Sequence, residues 1–418
     1  MTRASLGLLA LLGAAVMILD GYDLQVIAVV VPLISEAWGI SASSFGWVMT
    51  MPVFGLGCGA LLVAPLGDRF GRRKLILLGV LLVSLAVGAS ALVNDLWALG
   101  ALRFLTGLSL GMTLPNLTAL VAELAPAKIR SGLLTVISLG ISLGALGSGL
   151  VVPKLLPAFG WQGAFLCSAA VGLVFLVLLY FLLPEAPSFL SRDSTVAQTP
   201  SRKPREPYWK NYTTLLAPEY RQRTIALWVL WISNAFMLYI VSSWLPTLLS
   251  KSGWDVTGAS HSVAWFQGGG MAGGLVIAAL MDRWRPRGAL IGAYLVCAGG
   301  LLVLGWLGTS ALSWSLAFAM IGVGVGGMNI ALSAVTVMLY PSRILSTGIG
   351  SGVAVGRLGA IAGPLVGAWL IGQGMSARGV LMALIPAVAI CILCIAKMPL
   401  QRATPRDTRT DAEAQSSA

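Results

Sequence analysis

The chain has 418 residues, 57% of them hydrophobic and 10% charged, with a formal net charge of +12. A soluble protein of this length has no interior large enough to hide that much apolar surface. The composition therefore excludes a soluble enzyme and implies an integral membrane protein. The positive charge is not a nucleic-acid footprint, because it is divided among separate short polar stretches between apolar runs.

A membrane-spanning helix needs about 20 mostly apolar residues. In chain order, twelve stretches qualify: 6–31, 45–66, 75–93, 96–122, 132–156, 163–183, 224–249, 259–280, 289–308, 311–338, 347–371 and 378–398. The first is too long, and carries two acids too many, for a cleaved signal peptide. With the amino terminus placed in the cytoplasm, 22 of the 27 basic residues fall in inside loops and tails. The positive-inside rule then puts both termini in the cytoplasm.

Between the second and third spans lies Gly67-Asp68-Arg69-Phe70-Gly71-Arg72-Arg73-Lys74, a short turn with five ionised residues. A looser echo, Met281-Asp282-Arg283-Trp284-Arg285-Pro286-Arg287-Gly288, follows the eighth span, with Arg-Pro in place of Gly-Arg. A second echo precedes the fifth and eleventh spans: Ile129-Arg130-Ser131-Gly132 and Arg343-Ile344-Leu345-Ser346-Thr347-Gly348. Ser131 and Ser346 are each placed as a helix N-cap would be. Repeats of this kind predict an all-α membrane protein of two pseudo-symmetric halves, the architecture of a rocking transporter. The expected domains are a six-helix bundle over 1–183, a proline-rich cytoplasmic linker over 184–223, a second bundle over 224–398 and a disordered tail over 399–418. Short interfacial helices are expected around Trp209–Leu216.

Many glycines recur four apart, as in Gly107/Gly111, Gly140/Gly144 and Gly359/Gly363/Gly367, a spacing that lets helix backbones approach in lipid. Gly268-Gly269-Gly270 and Gly322–Gly327 lack the strand and lysine context of a phosphate loop. The five cysteines all lie in apolar spans. Even Cys391 and Cys394, spaced C-x-x-C, have no histidine or acid beside them, so they read as packing residues and no metal site is expected. The single histidine, His261, sits at the end of a span and is a poor proton carrier.

Four ionisable residues lie well inside spans: Asp20, Asp23, Arg103 and Arg357. A charge at mid-bilayer costs about 2.5–3.5 kcal/mol on insertion scales, so such residues should face a cavity or a partner. Asp20 and Asp23 are three apart and share a helix face. They lie roughly 22–27 Å along the helix axis, a depth similar to that of Arg103 in the fourth span. A carboxylate–guanidinium pair there, with two acids facing one base, suits proton coupling. Arg357 has no acid in the spans of its own half, and its planar fork matches a carboxylate. Tyr22, Gln25, Trp231, Asn234, Tyr239, Gln267 and Asn329 are candidate lining residues, polar or aromatic groups at depths where an aromatic ring could stack. Gly67, Asp68, Arg69, Gly71, Arg72, Glu123 and Asp282 are candidate gating residues. Arg72 is expected near Glu123, and Asp68 near the positive amino end of the eleventh helix.

The turn Gly67–Lys74 resembles the loop between the second and third helices of the major facilitator superfamily. Asp20-Gly21-Tyr22-Asp23, Arg103 with Leu114-Pro115-Asn116, and Ala354-Val355-Gly356-Arg357-Leu358-Gly359 with Gly363-Pro364 sharpen the likeness, which spans nearly the whole chain. Together they resemble the aromatic acid:proton symporter family. That resemblance implies import of a benzoate-, hydroxybenzoate- or hydroxyphenylpropionate-type acid with protons by alternating access. It implies a monomer in the bacterial inner membrane, with no cofactor beyond the proton gradient. The alternatives are a symporter of another organic acid, a drug/proton antiporter, a membrane enzyme and a channel. The fifth span lacks the Gly-Pro element of twelve-helix antiporters: it reads Gly140–Gly147 with no proline before Pro153. An enzyme would need a nucleophile–base pair or a metal cluster, and the sequence offers neither. A channel sits poorly with the two-half repeat.

Overall fold

The computed structural model describes residues 3–185, 213–283, 286–306 and 311–400. Most of the expected linker and tail lie outside these residues. Of the interfacial helices expected around Trp209–Leu216, only a helical turn at 213–215 lies within them.

Among the described residues, eleven helices are long and apolar enough to cross a membrane, and one of them holds two spans. In chain order they are α1 (Arg3–Trp38), α2 (Gly46–Cys58), α3 (Arg72–Ser90), α4 (Leu96–Leu124), α5 and α6 (together Ala127–Leu182), α7 (Arg221–Lys251), α8 (Val256–Arg283), α9 (Pro286–Trp306), α10 (Ala311–Leu339), α11 (Ser342–Gly372) and α12 (Ala377–Met382 continued by Ile385–Lys397). The break between α5 and α6 is Gly160, at φ 59° and ψ −167°, a conformation that L side chains rarely adopt. The twelve predicted spans are therefore present.

Three local expectations change. The second span is not one α-helix: after Cys58 it passes into a π turn, Gly59–Val63, and a 3-10 turn, Ala64–Leu66. The twelfth span is interrupted after Met382. Pro386 cannot donate to the carbonyl four residues back, and it is accommodated in the first turn of a new helix. Ser131 and Ser346 are not caps. The N-caps are Pro126 and Pro341, and both serines lie inside their helices. A proline disfavours the helical conformation of the residue before it, so these prolines mark where α5 and α11 begin.

Packing follows the repeat. In the first half α1 packs along α5 and α2 along α4; in the second, α7 packs along α11 and α8 along α10. The spaced glycines make these contacts. A Cβ at Gly107 or Gly111 would meet the backbone of α2, at Gly140 or Gly144 that of α1, and at Gly359 or Gly363 that of α7. In lipid there is no hydrophobic drive between helices, so close backbone packing of this kind supplies the association.

The side carrying the start of α1, the end of α12 and the Gly67–Lys74 turn is the basic side, and the opposite one the far side. Several contacts between halves lie at the far side: Gly46 of α2 against Ala368 of α11, Ser43 against Gly372, and Gly149 of α5 against Ser260 and Val263 of α8. Thr50 donates to the carbonyls of Gly46 (3.0 Å) and, across the halves, Ile361 (3.5 Å). The far side is closed.

Candidate functional site

α1 is the backbone of the site. It carries Asp20 and Asp23 one turn apart, both buried, and between them Gly21, where a Cβ would meet the backbone of Ile141 on α5. The close approach pins the acid-bearing turn between α5, α4 and α6.

Asp23 accepts a hydrogen bond from the Ser168 hydroxyl on α6. Arg103 on α4 is fully buried; its Nη2 donates to Ser90 Oγ on α3 at 2.8 Å, and its guanidinium lies 5.1 Å from the centre of the Phe165 ring on α6. The direct Asp–Arg pair expected from the sequence is not formed: among the described residues no carboxylate lies within ion-pair distance of Arg103. The hydroxyls and the ring hold the two charges separately. Asp20 Oδ2, Arg103 Nε and Arg103 Nη1 are buried without a hydrogen-bond partner. An unsatisfied buried polar group costs about 1–3 kcal/mol, more when charged. This cluster is polar capacity in excess of its partners, which is what a group that changes protonation or partner in a cycle requires.

On its other face α1 walls a cavity of about 180 Å³ at the centre of the molecule. Gln25 of α1, Ser142 of α5, Tyr239 and Ser242 of α7, Gln267 of α8 and Asn329 of α10 line it with polar groups; Met49, Val53, Leu238 and Met271 supply apolar surface. An apolar cavity of about 150 Å³ takes a benzene ring, so the size suits one aromatic ring with small substituents.

The structure divides the predicted lining residues. Gln25, Tyr239, Gln267 and Asn329 line the cavity. Tyr22 does not: its hydroxyl donates to the Ala164 carbonyl on α6 at 3.2 Å. Asn234 is held inside the second half, accepting from Tyr294 Oη at 2.8 Å and donating to the Val325 carbonyl at 3.3 Å. Trp231 packs on Gly352 and Gly356 of α11. The α7 candidates Trp231, Asn234 and Tyr239 therefore split. Those nearer the basic side serve packing within the half, and on this helix only Leu238, Tyr239, Ser242 and Ser243 face the cavity. Arg357 is half-buried on α11, outside the cavity wall, and among the described residues makes no ion pair. Sequence reading missed Ser90, Ser142 and Ser168; nothing separates these serines from the many others in the spans.

At the basic side, Gly71 turns the chain at φ 99°. Arg72 Nη1 meets Glu123 Oε2 at 2.7 Å and its Nη2 meets Asp68 Oδ1 at 3.1 Å. The Asp68 side chain is 74% exposed, so it is not buried against α11 in this structure. A Cβ at Gly67 would collide with Asn116 of α4, whose Nδ2 donates to the carbonyls of Ala64 and Met112. The Arg69 guanidinium lies 5.4 Å from the Phe70 ring centre. The Arg73 backbone N–H donates to Glu185 at 3.1 Å. The Asp282 side chain lies outside the described residues. Among the described residues no group of three His, Cys, Asp or Glu side chains is placed to hold a metal.

Comparison with known proteins agrees with this geometry. The sequence profile of the Major Facilitator Superfamily matches residues 13–364. The chain is 32% identical over 416 residues to the gallate transporter of Pseudomonas putida, covering 94% of this chain and 92% of that one. It is 31% identical to the 4-hydroxybenzoate transporter PcaK of Acinetobacter baylyi, with 93% and 90% covered. The fold matches the inward open conformation of the xylose transporter XylE from E. coli with a TM-score of 0.76, at 18% identity, over 96% of this chain and 98% of that one. The chain is a transporter rather than an enzyme: it belongs to the Major Facilitator Superfamily and, within it, to the aromatic acid:proton symporter family.

Proposed function

We propose that this protein imports a small aromatic carboxylic acid, of the benzoate, hydroxybenzoate or hydroxyphenylpropionate type, together with protons, by alternating access. The observation that carries the reading is the double use of α1. One face holds the buried Asp20, Asp23 and Arg103 cluster, and the other walls a ring-sized cavity between the halves. A shift of α1 that follows a change of protonation is thereby felt at the bound substrate. The relatives named for gallate and 4-hydroxybenzoate support this substrate class.

Asp20 and Asp23 are the proton-coupling acids, and Arg103 their counter-charge. Gln25, Tyr239, Gln267 and Asn329 contact the substrate in the cavity. Arg357 is the counter-charge for its carboxylate, engaged when α11 swings toward the cavity. The turn Gly67–Arg72, with Glu123 and Asp282, gates the basic side. Residues 1–183 and 224–398 rock as two bundles tethered by 184–223. The molecule works as a monomer in the bacterial inner membrane, with both termini in the cytoplasm and the proton gradient as driving force.

The test is uptake of labelled 4-hydroxybenzoate and gallate into proteoliposomes with an imposed pH gradient. Accumulation above the outside concentration, collapsed by a protonophore, is expected. Downhill equilibration that ignores the gradient would sink the symport reading; no uptake of any aromatic acid would sink the substrate class.

A further inference from the structure

α7 carries Pro246 in its interior. A proline has no N–H, so the carbonyl four residues earlier loses its helical donor. That carbonyl is on Ser242, a cavity-lining residue. In the structure the other half supplies the missing donor: Gln25 Nε2 of α1 donates to the Ser242 carbonyl at 2.7 Å. Gln25 is buried at 6% exposure and lies two residues beyond Asp23. A freed backbone carbonyl inside a membrane is costly unless a neighbouring group or water satisfies it, so the kink and the glutamine are complementary.

The bond is short, directional and interhelical, and it crosses between the halves. The other contacts located at the far side are of a different kind. Gly46 with Ala368 and Gly149 with Ser260 are van der Waals approaches. Thr50 reaches Ile361 only at 3.5 Å while already bonded to its own helix at Gly46, so it loses little on separation. The Ser242 carbonyl, in contrast, loses the donor that replaces its helical one.

We propose that Gln25 and the proline-freed carbonyl of Ser242 form a latch that holds the far side closed and must break for the cavity to open outward. The latch rests on the alternating-access reading. Because Gln25 shares α1 with Asp20 and Asp23, a shift of α1 at the acids pulls directly on it. Gln25 is thus a gating residue first and a substrate contact through its remaining amide oxygen second.

The test uses full-length protein in lipid nanodiscs, with the five native cysteines replaced and spin labels at Ser41→Cys and Met375→Cys, exposed far-side positions in opposite halves. Distances are measured by pulsed electron resonance at acidic and neutral pH, with and without 4-hydroxybenzoate. Gln25→Leu removes the donor. Pro246→Ala returns an N–H to the Ser242 carbonyl and removes the acceptor from the other side. Each is expected to raise the ratio of far-side-open to far-side-closed protein about two- to tenfold, the worth of one hydrogen bond. The double variant should match the singles rather than multiply them, because both cut the same bond. Two distance populations that Gln25→Leu leaves unaltered, or a double variant equal to the product of the singles, overturn the latch alone. A single unchanging distance in the unmodified protein under every condition overturns alternating access, and the latch with it.

Discussion

At the scale of residues, the proposed chemistry rests on a few charges in a chain that is otherwise poor in them. Asp20 and Asp23 stand out in the sequence because each is costly in an apolar helix. Asp→Asn at the coupling acid should abolish accumulation against a gradient while sparing exchange of labelled for unlabelled acid across proteoliposomes. Uphill uptake by both single variants would move the coupling site elsewhere. Arg357→Lys should weaken binding of the aromatic acid because the planar fork is lost, and Arg357→Ala should weaken it more, by about ten- to a hundredfold. Calorimetric titration with the acid and with its amide separates the roles: equal losses for both would mean that Arg357 only supports the fold. The charges were legible in the sequence, but their hydroxyl partners were not. Ser84, Thr106, Ser109 and Thr113 spend their hydroxyls on their own helix carbonyls, the usual fate of such residues in a span. Ser90 does so too, donating to Ala86, and still accepts from Arg103. Only the fold, by turning Ser90 and Ser168 inward, distinguishes them from the rest.

At the scale of elements, the twelve spans were legible because length and hydropathy nearly suffice in a bilayer. Their interruptions were less so. Gly160 breaks α5 from α6 through a positive φ, and Pro386 breaks α12, yet Pro115, Pro153 and Pro157 are absorbed within helices. The sequence signal is the same in each case, and neighbouring helices decide which proline ends one. Glycine spacing was a better guide. Gly144→Leu should push α5 off the backbone of α1, at an overpacking cost of about 1–3 kcal/mol, and lower the melting temperature of purified protein. Gly147→Leu, where nothing lies within 4 Å of an added Cβ, should not. Equal melting of the two variants would remove the packing argument. In the basic-side turn, Arg72 already bridges Asp68 and Glu123. Asp68→Asn should cut transport severely while leaving the affinity for substrate nearly intact, and unchanged transport by that variant would end the gate role.

At the scale of the whole molecule, the two halves share a plan but divide the charge. The first half buries two acids and one base; among the described residues the second carries Arg357 without an ion partner. The loop echo made the shared plan legible. The position of the cavity was not, because it depends on how the halves tilt against each other. The acid cluster also has an electrical consequence. With one carboxyl protonated, Asp20, Asp23 and Arg103 sum to zero; with both ionised they carry one negative charge. Asp23 is engaged by Ser168, while Asp20 keeps a buried oxygen without a partner; on the proposed coupling, the simplest cycle loads and unloads one of these two carboxyls. One proton carried with one monovalent anion moves no net charge across the membrane. Uptake should then follow the pH difference and ignore an imposed potassium-diffusion potential. Two protons per anion would instead couple each turnover to voltage, at about 2.3 kcal/mol per 100 mV for the extra charge, and potential-driven accumulation at equal pH would reveal it. On the one-proton stoichiometry, a cell with a strong membrane voltage but no pH difference gains no uphill uptake from this protein.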